Sequence, residues 1–311
     1  MTAFFIKNLL NTINHYINIP NCKVALAIKR EDLIHPFVSG NKFRKLKYNL
    51  LQAKSENKTT LLTFGGAYSN HIAAVAFAGH ENSFKTIGII RGDELQDKIS
   101  ENPTLLFAQK NGMVLEFISR EAYKSKNEAV FLENLKSKYG DFYIIPEGGT
   151  NALAVKGCEE ILSKDDTSFD FICTCVGTSG TIAGIINSAK SHQKILGFSA
   201  LKGVVFDQEI HKFAPNKNNW QIIDDYNFGG YAKITPELIL FITEFNQKYK
   251  IKLDPIYTGK LLFGVTDLIT KNYFPENSKI LVIHTGGIQG VAGMNLKNKN
   301  NDLLQINFYD Y

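Results

Sequence analysis

The sequence has few cysteines, and they lack the spacing that would give them a structural role. Only four occur among 311 residues, Cys22, Cys158, Cys173 and Cys175, and no pair matches a zinc site or a disulfide framework. Cys173 and Cys175 lie two apart in an apolar run, so on a strand both point to the same face. Free cysteine behaves there as a small buried hydrophobe. We therefore expect free thiols and no bound metal.

Long apolar runs and concentrated charge are also missing. No stretch approaches the ~20 apolar residues of a membrane span. The first twenty residues are interrupted by Lys7, Asn8, Asn11 and His15, and they lack the pattern of a signal peptide. The net charge of +5 is spread along the chain, whereas a nucleic-acid-binding surface concentrates its basic residues. These absences predict a cytoplasmic protein with no membrane or nucleic-acid partner.

Short apolar runs alternate with helix-like segments over most of the chain, and glycines followed by helical periodicity come after several of these runs. This order predicts an α/β protein with parallel sheets and helices on both faces. The Asn-rich stretch Asn295–Asn301 predicts a surface loop. The predicted strands are Lys23–Ile28, Thr60–Phe64, Thr86–Ile90, Met113–Ile118, Phe142–Ile145, Phe171–Val176, Lys194–Ser199 and Lys279–His284.

A glycine-rich turn follows the predicted strand Phe171–Val176 and precedes a helix. Ligands of open α/β sheets bind outside the carboxyl ends of strands, and backbone N–H groups at a helix start bind phosphate. The segment matches neither a P-loop nor a dinucleotide-binding fingerprint. It therefore favours a single phosphate monoester, although a turn that only allows close packing is the alternative. The turn consists of Gly177, Thr178, Ser179, Gly180 and Thr181.

Two further glycine turns follow predicted strands. Gly65–Gly66 leads to Ser69, Asn70 and His71, which enter an alanine-rich helix. Helix capping alone would explain Ser69, but three consecutive polar residues exceed what capping requires. The turn His284–Gly287 follows the predicted strand Lys279–His284, and a plain turn explains it equally well.

Lys42 falls in the first turn of a predicted helix. Ser39 to Asn41 supply turn residues, and Phe43 and Leu46 begin a helical periodicity. The positive end of the helix dipole disfavours an ammonium ion, and an unprotonated amine is what attack on a carbonyl group requires. A solvated surface lysine is the alternative.

The segments Lys29–Leu33 and Ser39–Leu46 resemble the pyridoxal-phosphate segment of the D-cysteine desulfhydrase and 1-aminocyclopropane-1-carboxylate (ACC) deaminase family. Further landmarks of that family follow in the same order, from about residue 29 to 290. They are Gly65-Gly66 with Ser69-Asn70-His71, Pro146–Asn151, Gly177–Thr181, Asp225-Tyr226 with Gly230-Tyr231, Asp254–Lys260, and His284–Gly287.

The resemblance implies an α/β fold of the tryptophan-synthase-β type, with two parallel-sheet domains and pyridoxal 5'-phosphate in the cleft between them. Residues 1–45 and 151–311 would form the larger, cofactor-binding domain, and residues 46–150 the smaller one. A homodimer acting on a small amino acid is also implied.

The resemblance also implies a role for each site residue. Lys42 would hold the cofactor covalently and shuttle a proton, and Asn70 would bind the ring hydroxyl. Ser69 and His71 would face the substrate carboxylate and the reacting carbon. The turn from Gly177 to Thr181 would bind the phosphate. Tyr231 and Tyr257 would line the substrate side, with Tyr257 a catalytic residue near the ring face.

Two threonines bear on the reaction. Thr258 and Thr285 stand where the resemblance places groups near the pyridine nitrogen, and ACC deaminases carry an acidic residue at the position of Thr258. Threonine hydroxyls can hydrogen-bond that nitrogen but do not strongly favour its protonation. The weaker electron sink suits a good leaving group such as a thiolate.

We therefore expect β-elimination from D-cysteine or a related β-substituted amino acid. ACC deamination, elimination of the serine/threonine type and a non-catalytic binding protein on the same fold are the alternatives. Ile72-Ala73-Ala74 stands near the predicted substrate pocket, where the family carries a basic residue.

Overall fold

The computed structural model describes residues 4–5, 12–299, 305–306 and 308. Within this part of the chain, ten strands form two separate sheets. The strands are β1 Asn14–Ile17, β2 Ala25–Lys29, β3 Thr60–Gly66, β4 Lys85–Arg91, β5 Met113–Ile118, β6 Tyr143–Ile145, β7 Phe171–Val176, β8 Lys194–Ser199, β9 Trp220–Ile223 and β10 Lys279–Ile283.

Helices connect most of these strands and cover both sheets. Short 3₁₀ turns also occur between them, among them Glu31–Leu33 and Glu147–Gly149. The described α-helices are α1 Asn41–Ser55, α2 Asn70–Glu81, α3 Pro103–Lys110, α4 Ala129–Tyr139, α5 Ala152–Cys158, α6 Gly180–Ser188, α7 Asp207–Phe213, α8 Pro236–Tyr249, α9 Thr258–Thr270 and α10 Gly290–Lys299. None of these helices has the length and apolar character needed to cross a bilayer.

The larger sheet has six strands in the order β1-β2-β10-β7-β8-β9. All its neighbours are parallel except β1, which pairs antiparallel with β2. Successive residues such as Ala27 and Ile28 belong to different hydrophobic clusters, one on each face of the sheet. Both faces are therefore buried under helices, as expected for a parallel sheet.

The smaller sheet has four parallel strands in the order β5-β4-β3-β6. All four lie between Thr60 and Ile145, inside the segment 46–150 that we predicted as the smaller domain. The exact domain limits stay a prediction, and a border after residue 45 would divide helix α1. The structure confirms the predicted α/β class with two parallel sheets.

The eight predicted strands are confirmed, three of them with identical bounds. Strands β1 and β9, at the two edges of the larger sheet, were not predicted. The loop predicted over Asn295–Asn301 is wrong for its described part, because α10 extends to Lys299. The side chain of Asn295 exchanges two hydrogen bonds with the backbone of Ile306, at 2.7 and 2.8 Å, and these contacts support a helix that local sequence does not favour.

Candidate active site

The first turn of α1 is docked on the turn that follows β10. Strands β2 and β10 are neighbours in the larger sheet, so the segments after them meet at the same edge. The N–H of Asn41 donates to the carbonyl of Thr285 at 3.3 Å. Gly40 has a φ of +58°, and a Cβ there would lie 2.0 Å from the Thr285 oxygen. A glycine is therefore required at position 40, immediately before helix α1.

Buried ion pairs explain the Lys-Arg-Glu-Asp segment. The carboxylate of Glu31, which is fully buried, accepts two hydrogen bonds from the guanidinium of Arg44 at 2.8 and 2.9 Å. This bidentate pair joins the segment after β2 to helix α1 and fixes the direction of the helix. Lys29 forms a second buried pair with Asp166 at 2.7 Å. The segment positions the lysine helix and contributes no residue to the cavity.

Lys42 lies half-buried in the first turn of α1 and lines a cavity between the two sheets. Burial lowers the pKa of its amine, since a desolvated ammonium ion is disfavoured. The Nζ atom lies 3.3 Å from Oδ1 of Asn41. The structure therefore provides a partly desolvated amine at a helix start, as predicted.

Lys45, one turn further along α1, is a site residue that sequence reasoning missed. Its side chain is fully buried, and its Nζ donates to the carbonyl of Gly148 and the hydroxyls of Thr150 and Thr178, each at 3.1 Å. Burial, and after it the charge of Lys42, lowers its pKa to about 7. The ammonium group lies beside the predicted phosphate turn. The only signal in the sequence was the spacing of three from Lys42, which places both amines on one helix face.

The turn from Gly177 to Thr181 lies next to these two lysines. Ser179 stands at the N-cap of α6, where the first backbone N–H groups have no partner within the helix. Asn41 donates to Oγ1 of Thr181 at 3.0 Å, which ties the lysine helix to this turn. Backbone donors, hydroxyls and a buried cation together suit a phosphate group.

Replacing Lys45 with Gln is expected to weaken anion binding at this turn in the cofactor-free protein. Inorganic sulfate is the probe, because its charge is constant over the pH range used. Wild-type affinity should fall as the pH rises above about 7, since binding then requires Lys45 to take up a proton. The variant should bind sulfate about tenfold more weakly at neutral pH, the scale of a lost charged hydrogen bond, with a smaller pH dependence. Calorimetry with the exposed Lys54→Gln variant as control measures this, and equal affinities would contradict the assignment.

The turn between β3 and α2 brings Ser69 and Asn70 into the same cavity. Ser69 is the N-cap of α2, as predicted, but its Oγ accepts from the N–H of Ile72 at a long 3.4 Å. Asn70 donates to the carbonyl of Gly287 at 3.5 Å. These weak contacts leave both side chains available to a ligand held next to Lys42.

His71 also lines the cavity but is almost fully buried. Its Nε2 lies 2.9 Å from the hydroxyl of Thr63, which donates its own proton to the carbonyl of Ile145 at 2.8 Å. Nε2 is therefore the donor, and Nδ1 is a buried acceptor without a partner among the described residues. Burial, and next the charges of Lys42 and Lys45, holds the pKa of His71 well below its usual value. A neutral ring with a free lone pair fits a donor on the ligand better than a carboxylate, and the predicted place of His71 beside the substrate carboxylate and the reacting carbon stays a prediction.

The loop before α9 places Tyr257 against the phosphate turn. A Cβ on Gly177 would lie 2.7 Å from Cε1 of Tyr257, so the ring approaches this backbone as only glycine allows. Burial raises the pKa of Tyr257 well above its usual value, and Tyr231 adds to this. The phenol therefore keeps its proton and can donate it.

Asp254 fixes this loop, a role that its place in the sequence landmark Asp254–Lys260 did not reveal. Its buried carboxylate accepts from the N–H groups of Ile256, Tyr257 and Thr258 at 2.8 to 2.9 Å. The hydroxyl of Thr258 donates to the same carboxylate at 2.6 Å. Thr258 is not among the residues that line the cavity, and its only hydroxyl proton is already used. Its position therefore does not support the predicted contact of Thr258 with the cofactor.

Thr285 lines the cavity, as predicted. Its Oγ1 lies 3.1 Å from Sγ of Cys175, which also faces the cavity. Burial raises the pKa of Cys175 to about 12, so its thiol keeps the proton and can donate it to Thr285. The threonine proton is then free to point towards a ligand.

Tyr231 stands at the cavity entrance and is about half exposed, at 47%. Its ring centre lies 6.3 Å from that of Tyr257. The loop before it is held by Lys260, whose Nζ donates to the carbonyls of Asn227 and Gly230 at 2.8 and 2.7 Å. Lys260 is a further residue that the sequence did not identify as functional, because its contacts lie about thirty positions away.

The cavity between the sheets, which we call the inner cavity, brings together most of the predicted site residues. Its chemistry fits pyridoxal phosphate, with an amine of lowered pKa on one side and backbone donors with a buried cation on the other. The predicted site residues that line it are Lys42, Ser69, Asn70, His71, Gly177, Thr178, Thr181, Tyr231, Tyr257 and Thr285. Ser179 and Gly180 lie behind them at the start of α6.

Comparison with known proteins agrees with this site. Residues 15–286 match the family model described as pyridoxal-phosphate dependent enzyme. A putative ACC deaminase from Thermotoga maritima is 31% identical, covering 85% of this chain and 89% of the relative. The bifunctional D-cysteine desulfhydrase/ACC deaminase, mitochondrial, of Arabidopsis thaliana is 32% identical, covering 91% and 77%.

Solved structures show the same relationship. The crystal structure of an ACC deaminase homologue superimposes with a TM-score of 0.79 at 27% identity, covering 96% of this chain and 99% of the other. Residues 15–286, the region matched by the family model, contain every predicted site residue that lines the inner cavity. The cofactor is therefore pyridoxal phosphate, and the chain belongs to the D-cysteine desulfhydrase and ACC deaminase family of pyridoxal-phosphate enzymes, which have the tryptophan-synthase-β type of fold.

Proposed function

We propose that this enzyme catalyses β-elimination from D-cysteine or a related β-substituted amino acid. For D-cysteine, the Cα–H and Cβ–S bonds break and water is consumed. The products are pyruvate, ammonia and hydrogen sulfide. The relative from Arabidopsis carries a desulfhydrase name, which supports this reaction class.

The observation that carries the proposal is the absence of a carboxylate from the inner cavity. No Asp or Glu is among the described residues that line it. Thr285, which follows β10 of the larger sheet, is among the polar side chains that line it, and Cys175 is its hydrogen-bond partner. A threonine does not hold a pyridine nitrogen in its protonated form as a carboxylate does. Such a site suits a substrate with a good leaving group, and a thiolate is one.

Pyridoxal phosphate, when bound, supplies the aldehyde that captures the substrate amine and the ring that accepts electrons from Cα. The protein holds its phosphate with the turn Gly177–Thr181 and Lys45. Lys42 Nζ is the group placed to take the proton from Cα, and the lowering of its pKa by burial favours the unprotonated amine that this step needs.

The turn between β3 and α2 orients the substrate. Ser69 and Asn70 have only weak contacts within the protein, at 3.4 and 3.5 Å, so they can bind the substrate carboxylate without breaking strong bonds. Tyr257 keeps its phenolic proton and can hydrogen-bond the leaving sulfur. Tyr231 covers the entrance and limits access of water.

A product screen tests the proposal. The purified protein, loaded with pyridoxal phosphate, is incubated with D- and L-cysteine, D- and L-serine, and ACC, and sulfide and keto acids are measured. We expect sulfide and pyruvate in equal amounts from D-cysteine. Formation of α-ketobutyrate from ACC without sulfide from cysteine would show a deaminase instead. No turnover of any substrate would support the non-catalytic alternative.

A cytoplasmic location and a homodimer are further parts of the proposal. All four cysteines are free thiols, which fits a reducing compartment. The homodimer rests on the family resemblance. Light scattering coupled to size-exclusion chromatography should give twice the chain mass of 34.9 kDa, and a monomer at micromolar concentration would contradict this part.

A further inference from the structure

A second, larger space opens directly outside the inner cavity. This outer chamber encloses about 710 Å³ and lies at the carboxyl ends of strands from both sheets. It shares Ser69, Thr178, Tyr231 and Tyr257 with the inner cavity. A substrate held next to Lys42 would therefore extend its side chain into the chamber.

The charged groups of the chamber are not equivalent. Three of its lining residues are charged, namely Arg91, Arg120 and Glu147. Arg120 is paired with Glu94 at 2.5 Å, and Glu147 with Lys126 at 3.4 Å. Arg91 has no ion pair among the described residues, and its guanidinium lies 5.6 Å from the ring centre of Tyr123. Among the charged residues that line the chamber, Arg91 is therefore the one without an ion pair in the described part of the chain.

The backbone places the Arg91 side chain next to the reaction site. Arg91 is the last residue of β4 and pairs with Gly66 at the end of β3. A Cβ on Gly66 would lie 3.6 Å from Nη2 of Arg91, so the guanidinium extends over the glycine that leads into the Ser69 turn. Apolar side chains, among them Leu95, Leu201 and Met294, line the rest of the chamber. This arrangement fits a ligand with a short apolar stem and an anionic end.

We propose that Arg91 binds an anionic group at the far end of the substrate's β-substituent. The preferred substrate would then be an S- or O-substituted amino acid whose leaving group carries a carboxylate or similar anion, larger than cysteine itself. In its elimination the bond from Cβ to sulfur or oxygen breaks, the electron pair leaves with that atom, and the atom takes up a proton. One water is consumed, and pyruvate, ammonia and the anionic thiol or alcohol are released. This inference rests on the proposed elimination.

A pair of ligands that differ only in charge tests the role of Arg91. S-carboxymethyl-cysteine ends in a carboxylate, and S-carbamoylmethyl-cysteine is its neutral isostere. Both enantiomers are titrated into the loaded enzyme, and binding is followed by the change in the visible spectrum. For the enantiomer that binds more tightly, the wild type should prefer the carboxylate about fivefold, the scale of a partly solvated charged hydrogen bond. Added salt should reduce this preference.

Variants assign the preference to one side chain. Arg91→Gln should bind both ligands equally, with unchanged affinity for the neutral ligand. The double variant Arg120→Gln/Glu94→Gln removes the neighbouring ion pair without changing the net charge, and it should keep the preference. Equal binding of both ligands by the wild type, a preference that survives Arg91→Gln, or no spectral response to either ligand would overturn the inference. A preference that depends on Arg91 without release of thiol or pyruvate would support the subsite and contradict the proposed elimination.

Discussion

Lys42→Ala is expected to be colourless after dialysis, whereas the wild type loaded with pyridoxal phosphate is expected to be yellow. The variant loses the covalent link to the cofactor and the amine that moves the proton at Cα. Turnover should fall by a factor on the order of 10³ or more, because general acid–base groups contribute about 10²- to 10⁴-fold and the link is lost as well. The visible absorption spectrum and a keto-acid assay measure the two effects.

Lys54→Ala is the matched control for this change. Lys54 lies near the other end of the same helix and is exposed, so its removal should leave both colour and turnover unchanged. Because Lys42 is only half-buried, Lys42→Ala should remain folded, which circular dichroism checks. A visible band in Lys42→Ala equal to that of the wild type would mean that another lysine holds the cofactor.

Ser69→Ala should remain yellow but lose most of its turnover, by about a hundredfold or more if Ser69 contacts the reacting substrate. The physical reason is its position. Its hydroxyl lines the inner cavity and is held by the protein only through a 3.4 Å contact. Loss of a helix cap costs about 1 kcal/mol of folding free energy, which is too little to unfold the protein. Steady-state kinetics together with a thermal melt separates the two effects.

Ser163→Ala serves as the comparison for Ser69→Ala. Ser163 caps a short 3₁₀ helix at Lys164–Asp166 with a similar contact of 3.3 Å to a backbone N–H, and its hydroxyl also donates to Asp166 at 3.1 Å, outside the inner cavity. Ser163→Ala should lower the melting temperature by at least as much as Ser69→Ala and leave turnover intact. If both serine variants kept full activity, Ser69 would act only as a helix cap.

The sequence predicted the interior of the fold better than its edges. Strands such as β7 and β8 are mostly apolar and buried at five of six positions, and this pattern arises from burial on both faces. Strand β1, Asn14–Ile17, has only one buried residue, Ile17. It is held by pairing with β2 and by a hydrogen bond from Asn14 to Asp166 at 2.7 Å. The hydrogen bond links positions 152 residues apart, and neither it nor the strand pairing can be read from the local periodicity of the sequence.

Contacts between distant segments also limited what the sequence could predict of the site. The lysine helix and the glycine turns carry local signals, and the structure brings them together in one cavity. Lys45 is buried only because Gly148, Thr150 and Thr178 supply acceptors from other segments. The hydroxyl of Thr258 points to Asp254 because of the shape of one loop. Neither orientation follows from residue type or spacing.

Reduction of the loaded enzyme with borohydride, followed by proteolysis and mass spectrometry, tests the central claim most directly. Borohydride fixes the cofactor to the side chain that holds it. We expect the added mass on the peptide that contains Lys42, with fragmentation placing it on that residue and leaving Lys45 unmodified. A label on Lys45 or any other side chain, or no label on the loaded protein, would contradict the assignment of Lys42 as the cofactor lysine.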